Sequence, residues 1–253
     1  MILSVEKAIG ILSLFSFSQP RWGISEIAKA MGLPKGTTHN IVSTLTVTGF
    51  LQQDPETRRY SLGPKLFTMG SIMVGTLEIN QKASGPAHRL AEQTDLICRV
   101  AIWDSDAALI TLNVSRQDTE ATAARIGPRV AAYCSALGRA LLAHLDPPEM
   151  ETYLKKLQPV AYTARTLISK TKIKKEILET RSRGFAINNQ ELARARVSLA
   201  VPLFQSGGSL AASISLTGGE NDLCGKKQSS LVEALMKTAA EISRYMGFYE
   251  AQP

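Results

Sequence analysis

Residues 24–62, ISEIAKAMGLPKGTTHNIVSTLTVTGFLQQDPETRRYSL, decide the fold of the first part of the chain. They contain two short helical segments, a tight turn between them, and a hairpin pattern after the second. Helix, turn, helix and hairpin in this order are the plan of a winged helix-turn-helix. Because such a module places its second helix in the major groove, the stretch predicts double-stranded DNA as a partner.

The ends of the two helices follow from individual residues. Ser25 is a suitable N-cap for the first helix, and Glu26 in the first turn complements the helix dipole. Gly32 can adopt the left-handed conformation that ends a helix. Pro34 suits the first turn of the second helix, because its missing amide hydrogen is not needed there.

The second helix has two different faces. At 100° per residue its apolar face points to the core, with the inward residues Thr38, Ile41, Val42 and Leu45. The opposite face is short and polar, and it consists of Gly36, Thr37, Asn40, Ser43, Thr44 and Val47. Hydroxyl groups can bind phosphates or bases, and asparagine can bind adenine with two hydrogen bonds. The alternative is the solvated face of an ordinary helical hairpin.

The hairpin favours the DNA interpretation. Gly49 closes the second helix, residues 54–57 supply the turn, and residues 58–62 alternate as a strand should. Two arginines at the hairpin tip suit phosphates or the minor groove. An amphipathic helix over residues 5–15 covers these elements. The predicted DNA-contacting residues are Ser25, Lys35, Gly36, Thr37, His39, Asn40, Ser43, Thr44, Arg58 and Arg59.

Composition and length predict a globular protein in two parts. The chain has 253 residues, 44% of them hydrophobic, which exceeds one average domain. Its net charge of +7 suits a nucleic-acid partner, but residues 1–62 carry only +2, from six Lys and Arg against four Asp and Glu. The DNA prediction therefore depends on pattern more than on charge.

Targeting signals and cysteine usage predict a cytoplasmic location without membrane contact. Glu6 and Lys7 interrupt the first apolar run, so no signal peptide is expected. No uninterrupted apolar stretch is long enough to span a membrane. The three cysteines are widely spaced and odd in number, as expected of reduced, mostly buried thiols.

The rest of the chain predicts a linker helix and a largely antiparallel α/β domain. A Met-rich helix from Gly63-Pro64 toward Leu77 invites pairing with a second copy of the chain, or packs on its own chain. Hairpin connections then indicate an antiparallel sheet flanked by helices. The predicted strands are 96–103, 107–114, 185–187, 197–204 and 210–216; the predicted helices are 79–93, 135–144, 146–157, a strongly basic 173–183, and 227–245.

Seven segments in order resemble an IclR-type transcriptional regulator over nearly the whole length. They are SVEKAIGIL (4–12), ISEIAKAMGLPKGTTHNIVSTL (24–45), DPETRRYSLGPKL (54–66), SALGRALLAHL (135–145), YTARTL (162–167), RSRGFAINNQEL (181–192) and SLAVPLF (198–204). The resemblance implies an α+β chain: a winged helix-turn-helix over 1–63, a linker helix over 64–78 and a GAF-like α/β effector-binding domain over 79–253. It also implies homodimers or tetramers. The predicted function is control of a catabolic operon by a small organic acid, with repression expected and activation left open.

The resemblance also implies an effector pocket. Its residues here are Ser135, Ala136, Leu137, Gly138, Asn188, Asn189, Ser198, Ser215 and Thr217. Amides at a helix N-terminus bind carboxylates well, and hydroxyls and amides fix the orientation of a ligand. The alternative is that these polar groups only satisfy backbone groups of the core.

Several positions depart from the family pattern. Asn188-Asn189 replaces an acidic pair, and Ala195 and Val197 replace a glycine and an arginine, with Arg194 and Arg196 nearby. A pocket with fewer carboxylates and neighbouring arginines favours an anionic effector. In the second helix, Gly36, Thr38 and Asn40 stand where the family often has Ser, Val and Arg, so the operator sequence should differ.

Other function classes have weaker support. The histidines His39, His88 and His144 are scattered, none has a cysteine at metal-ligand spacing, and no phosphate-binding loop occurs. An enzyme, a metal and a cofactor are therefore not expected. Two alternatives stay open: a redox sensor that uses Cys134, whose pKa a helix N-terminus could lower, and a winged-helix adaptor that binds protein instead of DNA.

Overall fold

The computed structural model describes residues 2–116 and 127–249. The chain divides into two compact units, Met1–Gly75 and Thr76–Pro253. The helix predicted as a linker lies at the end of the first unit. The division into domains 1–63, 64–78 and 79–253 therefore stays a prediction, as does the dimer.

The first unit is built from four helices and a two-stranded hairpin. They are α1 (Leu3–Leu12), α2 (Ile24–Met31), α3 (Lys35–Val47), β1 (Leu51–Gln53), β2 (Tyr60–Leu62) and α4 (Pro64–Thr76). The strands pair antiparallel, with Gln52 opposite Ser61. One apolar core joins the first three helices to the hairpin through Ile11, Ile27, Val42, Leu45, Leu51 and Tyr60. This is the winged helix-turn-helix predicted from residues 24–62.

Two local predictions for this unit were wrong. The N-cap of α2 is Gly23 rather than Ser25, because the Glu26 carboxylate turns back and accepts a hydrogen bond from the Gly23 amide at 2.8 Å. Ser25 lies inside the first turn, exposed to solvent. The first helix also ends at Leu12 rather than continuing to Phe15, so Leu14 and Phe15 pack against the core from beyond the helix.

The second unit is a six-stranded sheet in the order β5-β4-β3-β8-β7-β6, and every neighbouring pair is antiparallel. Its strands are β3 (Ile97–Asp104), β4 (Ala107–Val114), β5 (Arg129–Ala131), β6 (Ala186–Asn189), β7 (Val197–Phe204) and β8 (Leu210–Gly218). Its helices are α5 (Glu78–Thr94), α6 (Ala136–Leu142), α7 (Pro147–Lys156), α8 (Lys170–Arg183), α9 (Glu220–Leu223) and α10 (Gln228–Tyr245). The α+β class and the antiparallel sheet are confirmed.

Helices cover both faces of this sheet. On one face α5 and α10 pack over strand residues such as Val100, Leu199 and Ile214. On the other face α6 packs against Ala101, Ile110 and neighbouring small residues. Helices α7 and α8 form a further layer beyond the end of α6. A ligand site can therefore lie between the α6 face of the sheet and the loops that cross it.

The predicted elements match the observed ones closely, but β5 and α9 were missed. Each has only three or four residues, too few for a periodic pattern to show. Within the described ranges, no helix combines the length and apolar character needed to cross a membrane. Among those same residues, no group of His, Cys, Asp or Glu could hold a metal ion.

Candidate functional site

The outer face of α3 forms an exposed polar surface. Thr38, Val42 and Leu45 are buried, whereas Lys35, Gly36 and the other outward residues are exposed or half-exposed, as the periodicity predicted. Exposed members are Lys35, Gly36, His39, Asn40, Ser43, Thr44 and Val47, and Thr37 is half-exposed. The Thr44 hydroxyl donates to the Asn40 carbonyl at 2.9 Å, so its proton is held by its own helix.

The hairpin tip presents one arginine rather than two. The Asp54 carboxylate accepts from the amides of Glu56 and Thr57 at 3.0 and 2.9 Å, which shapes the turn. Arg58 then projects outward from a left-handed backbone conformation with φ of 55°. Arg59 instead turns back and binds the Glu26 carboxylate at 2.6 Å. Only Arg58 keeps the predicted position at the tip.

The Arg59–Glu26 pair joins the hairpin to α2. A hydrogen bond from the Gly23 amide and then the Arg59 guanidinium lower the pKa of Glu26. Arg59 also donates to the carbonyl of Arg21 at 3.4 Å. The pair therefore holds Arg59 against α2 rather than at the hairpin tip.

The second unit contains a cavity of about 150 Å³ between the sheet, α6 and the loop after β6. Seven of the nine predicted pocket residues line it. They are Ser135, Ala136, Leu137, Asn188, Ser198, Ser215 and Thr217. The residues that the prediction did not include are Ile97, Arg99, Ile110, Val130, Leu192, Ala193 and Arg196.

The strand register explains why polar groups meet in this cavity. Ile97 lies opposite Thr217 and Arg99 opposite Ser215, while Ser198 on β7 also pairs with Thr217. Side chains alternate along a strand, so these residues share one face of the sheet. The Ser198 and Thr217 hydroxyls are 2.9 Å apart and satisfy each other.

Ser215 is the unusual member of this set. It is 1% exposed, and within the described residues its hydroxyl has no hydrogen-bond partner. Burying a hydroxyl without a partner costs about 1–3 kcal/mol. A bound molecule with a polar atom would satisfy it.

Two arginines line the cavity. Arg99 donates from Nε to the Asn113 side chain at 2.9 Å, which holds its guanidinium at the cavity wall. Arg196 is an exposed residue at the mouth of the cavity, whereas Arg194 does not line it. The alternation of Arg99 with buried Cys98 and Val100 was the sequence signal that could have identified it.

Two predicted pocket residues lie outside the cavity lining. Gly138 packs against the chain before α6, where an added Cβ would be 2.2 Å from the Ala132 Cα. Its amide also donates to Ser135 Oγ at 3.1 Å, so that amide is already paired. Asn189 accepts a hydrogen bond from Arg165 at 2.9 Å and points away from the cavity. Neither residue is among those that line the cavity, so their assignment to the effector pocket gains no support from it.

Asn188 lines the cavity but also supports the backbone. Its amide donates to the Cys134 carbonyl, and its oxygen accepts from the Glu191 amide at 3.2 Å. Asn188 therefore shapes the cavity wall. Its hydrogen bonds satisfy backbone groups, which was the alternative to ligand binding given for these polar residues.

A buried ion pair that the sequence analysis missed holds this region together. Arg139 is 1% exposed and binds both carboxylate oxygens of Glu191, one of them at 2.7 Å. The same guanidinium donates to the carbonyls of Tyr133 and Ile187, both at 2.9 Å. One side chain thus joins α6, the turn before it, the end of β6 and the next loop.

The alternative that Cys134 is a redox sensor required a lowered thiol pKa, and this requirement is not met. The thiol is fully buried, and burial raises its pKa to about 11 instead of lowering it. A thiol in this state is a poor nucleophile at neutral pH, because only the thiolate reacts.

Alkylation of the native protein tests this conclusion. At pH 8 we expect iodoacetamide to label the half-buried Cys224, while Cys134 and Cys98 react at least tenfold more slowly. Burial raises the pKa of Cys98 to about 12, so both slow sites should react faster only as the pH approaches these values. Peptide mass spectrometry measures each site, and labelling of Cys134 as fast as of Cys224 would contradict the assignment.

Family models match both units of the chain. The IclR helix-turn-helix domain matches residues 4–55. The model described as bacterial transcriptional regulator IclR C-terminal matches residues 72–244.

Individual proteins resemble the chain over its whole length. It is 29% identical to the HTH-type transcriptional regulator XynR of Escherichia coli over 98% of each chain. An IclR transcriptional regulator from Alicyclobacillus acidocaldarius superposes with a TM-score of 0.82 at 25% identity, covering 98% of this chain and 100% of that one. An IclR homolog from Microbacterium hydrocarbonoxydans, solved with 4-hydroxybenzoate, has a TM-score of 0.79 at 20% identity and covers 96% and 99%. The chain belongs to the IclR family of bacterial DNA-binding transcriptional regulators, which are not enzymes.

Proposed function

We propose that this regulator represses a catabolic operon and releases its operator when a small organic anion enters the cavity beside α6. The observation that carries the proposal is the buried Ser215 hydroxyl, which has no partner within the described residues. Arg99 and Arg196 on the same cavity supply the positive charge that a carboxylate needs.

Cavity size supports a ligand of few atoms. A cavity of about 150 Å³ is of the size that accommodates benzene in an engineered protein core. The Microbacterium hydrocarbonoxydans homolog binds 4-hydroxybenzoate, which is an aromatic carboxylate. A monocarboxylate with a small aliphatic or aromatic body therefore fits the volume and the charge here.

The first unit supports the DNA end of the same function. Asn40 is exposed on the outer face of α3, and Arg58 is exposed at the hairpin tip. Gly36 is not required by packing, since an added Cβ would meet nothing within 4 Å. A bare backbone at this position allows close approach to a phosphate group. We propose the ten predicted residues of this unit as DNA contacts, and Arg59 in addition positions the hairpin through its pair with Glu26.

The two ends need only modest coupling. An effector that favours one arrangement of the predicted dimer changes operator affinity by its differential binding, typically about 1–3 kcal/mol. Such a value corresponds to roughly 5- to 150-fold in operator affinity, which is sufficient for a metabolic switch.

A thermal-shift screen with two matched arginine variants tests the effector site. We expect a small aromatic or 2-oxo monocarboxylate to raise the melting temperature. Arg196→Gln should weaken its binding about 10- to 100-fold, because a hydrogen bond to a charged group is lost. Ser215→Ala should weaken binding while leaving the stability of the free protein unchanged or slightly higher, since an unpaired buried hydroxyl is removed.

Arg194→Gln is the control for charge alone, because Arg194 is a neighbouring exposed arginine outside the cavity lining. It should bind the acid as the unmodified protein does. Equal losses in Arg194→Gln and Arg196→Gln, or no response to any carboxylate, would contradict the cavity assignment.

A further inference from the structure

The net charge of this chain is concentrated in one segment. Residues 155–183 contain nine Lys and Arg residues and two Glu residues, a net charge of +7, which equals the formal net charge of the whole chain. The remainder has 20 basic and 20 acidic residues and is neutral. The segment forms the end of α7, the connection after it, and α8.

Helices α7 and α8 pack together and carry most of this charge on exposed side chains. Tyr153 and Leu154 of α7 pack with Ile173 and Ile177 of α8 in a shared buried cluster. A hydrogen bond of 2.9 Å from Lys170 Nζ to the Lys155 carbonyl joins the two helices directly. Six exposed lysines of these helices form what we call the lysine face: Lys155, Lys156, Lys170, Lys172, Lys174 and Lys175.

Most of these charges are not neutralised within the chain. In residues 2–116 and 127–249, no ion pair within 4.0 Å involves Lys155, Lys156, Lys170 or Lys172. Lys174 and Lys175 pair with Glu151 and Glu179 at 2.5 and 3.6 Å, but these pairs are exposed. Exposed pairs contribute about 0–1 kcal/mol, so a polyanion can replace the carboxylates.

Lys170, Lys172 and Lys174 do not stabilise the N-terminal half of α8. Lys170 and Lys172 lie in its first turn, which contains no acidic residue, and positive charge there opposes the helix dipole. Lys170 and Lys174 are four residues apart, a spacing at which like charges repel on a helix. A face that repels itself is stabilised by a negatively charged partner.

The residue types favour a nucleic-acid backbone over an acidic protein. Protein interfaces are depleted in lysine and enriched in aromatic residues, methionine and arginine. Sequence-independent DNA binding instead neutralises phosphates with Lys and Arg and releases their counterions. We propose that the lysine face binds the phosphate backbone of double-stranded DNA without reading its sequence. The inference rests on the DNA-binding function of the family and adds a second contact from the effector-binding unit.

The test measures the salt dependence of binding by the full-length protein. Random-sequence duplexes of about 60 base pairs are titrated by fluorescence anisotropy at several salt concentrations. The first variant carries Lys155→Gln, Lys156→Gln, Lys170→Gln and Lys172→Gln. Because each phosphate contact contributes about 0.9 to the slope of log K against log salt, we expect that slope to fall by about 2 to 4 in magnitude.

A second variant removes the same number of charges elsewhere in the same unit. It carries Lys82→Gln, Lys227→Gln, Lys237→Gln and Arg244→Gln, all outside the lysine face. Its slope should stay within about one contact of the unmodified protein. Equal slopes for the two variants would overturn the proposal and leave an acidic protein as the partner of the lysine face.

The comparison between variants is independent of operator recognition. If the unmodified protein bound no DNA sequence specifically, the proposed repressor function would be wrong. The salt slopes of the two variants on random DNA would still differ if the lysine face binds phosphates. Circular dichroism melting of both variants checks that the substitutions leave the fold intact.

Discussion

Replacement of Arg139 by alanine is expected to lower the free energy of unfolding of the second unit by about 3–5 kcal/mol. The substitution leaves the Glu191 carboxylate in a site that is 8% exposed, without its bidentate partner. It also removes the donors that satisfy the carbonyls of Tyr133 and Ile187. The large effect comes from these abandoned groups more than from the attraction within the pair.

The two tryptophans allow this effect to be measured in the correct unit. Trp22 lies in the first unit, whereas Trp103 lies in the second, 5.6 Å from the Tyr153 ring. In a Trp22→Phe background, the fluorescence of Trp103 during urea titration reports on the second unit alone. Arg165→Ala is the control, because Arg165 is exposed and its ion pair with Glu220 is 3.8 Å long.

The control should change the free energy of unfolding by less than about 1 kcal/mol. If Arg139→Ala lowered the free energy of unfolding by no more than the Arg165→Ala control does, the buried pair would be dispensable for stability. A double replacement, Arg139→Met with Glu191→Leu, should recover only part of the loss, since it removes both buried charges but leaves the carbonyls of Tyr133 and Ile187 without their donor.

Loss of Asn40 should give the second large effect, on operator recognition. We expect Asn40→Ala to weaken operator binding by about 1–3 kcal/mol and to relax the preference for one base pair, because a paired contact to a base edge disappears. Arg58→Ala should weaken operator and random DNA equally and reduce the salt slope by about 1, as expected of a phosphate contact. Electrophoretic mobility shift and anisotropy titrations against single-base variants of the operator measure both effects.

Gln52→Ala provides the matched control on the hairpin, since Gln52 is exposed and its side-chain amide donates to the Ser61 hydroxyl at 3.2 Å. It should leave affinity and base preference unchanged. Unaltered recognition by the Asn40→Ala variant would contradict the assignment of Asn40 to a base edge in the major groove. Absence of sequence-specific DNA binding by the unmodified protein would instead favour the adaptor alternative.

Long periodic elements of this chain could be predicted from its sequence, whereas contacts between distant residues could not. The inward residues of α3 repeat with the helical period, and the strands β4 and β7 begin and end where the alternation does. Ser25 was misassigned because a cap depends on backbone angles, and Gly23 with the Glu26 side chain competes for the same role.

The effector cavity likewise depends on contacts between residues that are distant in the sequence. Its hydroxyl residues were predicted through the family resemblance, and their common face follows from strand register. The Arg139–Glu191 pair joins residues 52 positions apart, so no local pattern could reveal it. Asn189 was assigned to the cavity although its strand alternates, and the neighbouring Asn188 occupies the inward position. The sequence already identified 173–183 as strongly basic, but the full basic segment of residues 155–183 appears only when charge is counted segment by segment.

The join between hairpin and helix has a consequence for how DNA is selected. Arg59 binds Glu26, and Trp22 and Tyr60 exchange two backbone hydrogen bonds at 2.9 and 2.7 Å. The hairpin therefore moves with α2 and α3, and the spacing between Arg58 and Asn40 is set by the protein. A duplex must adjust its groove width to meet both, at a cost that depends on base sequence. Base pairs that no side chain touches should consequently influence which operators this regulator occupies.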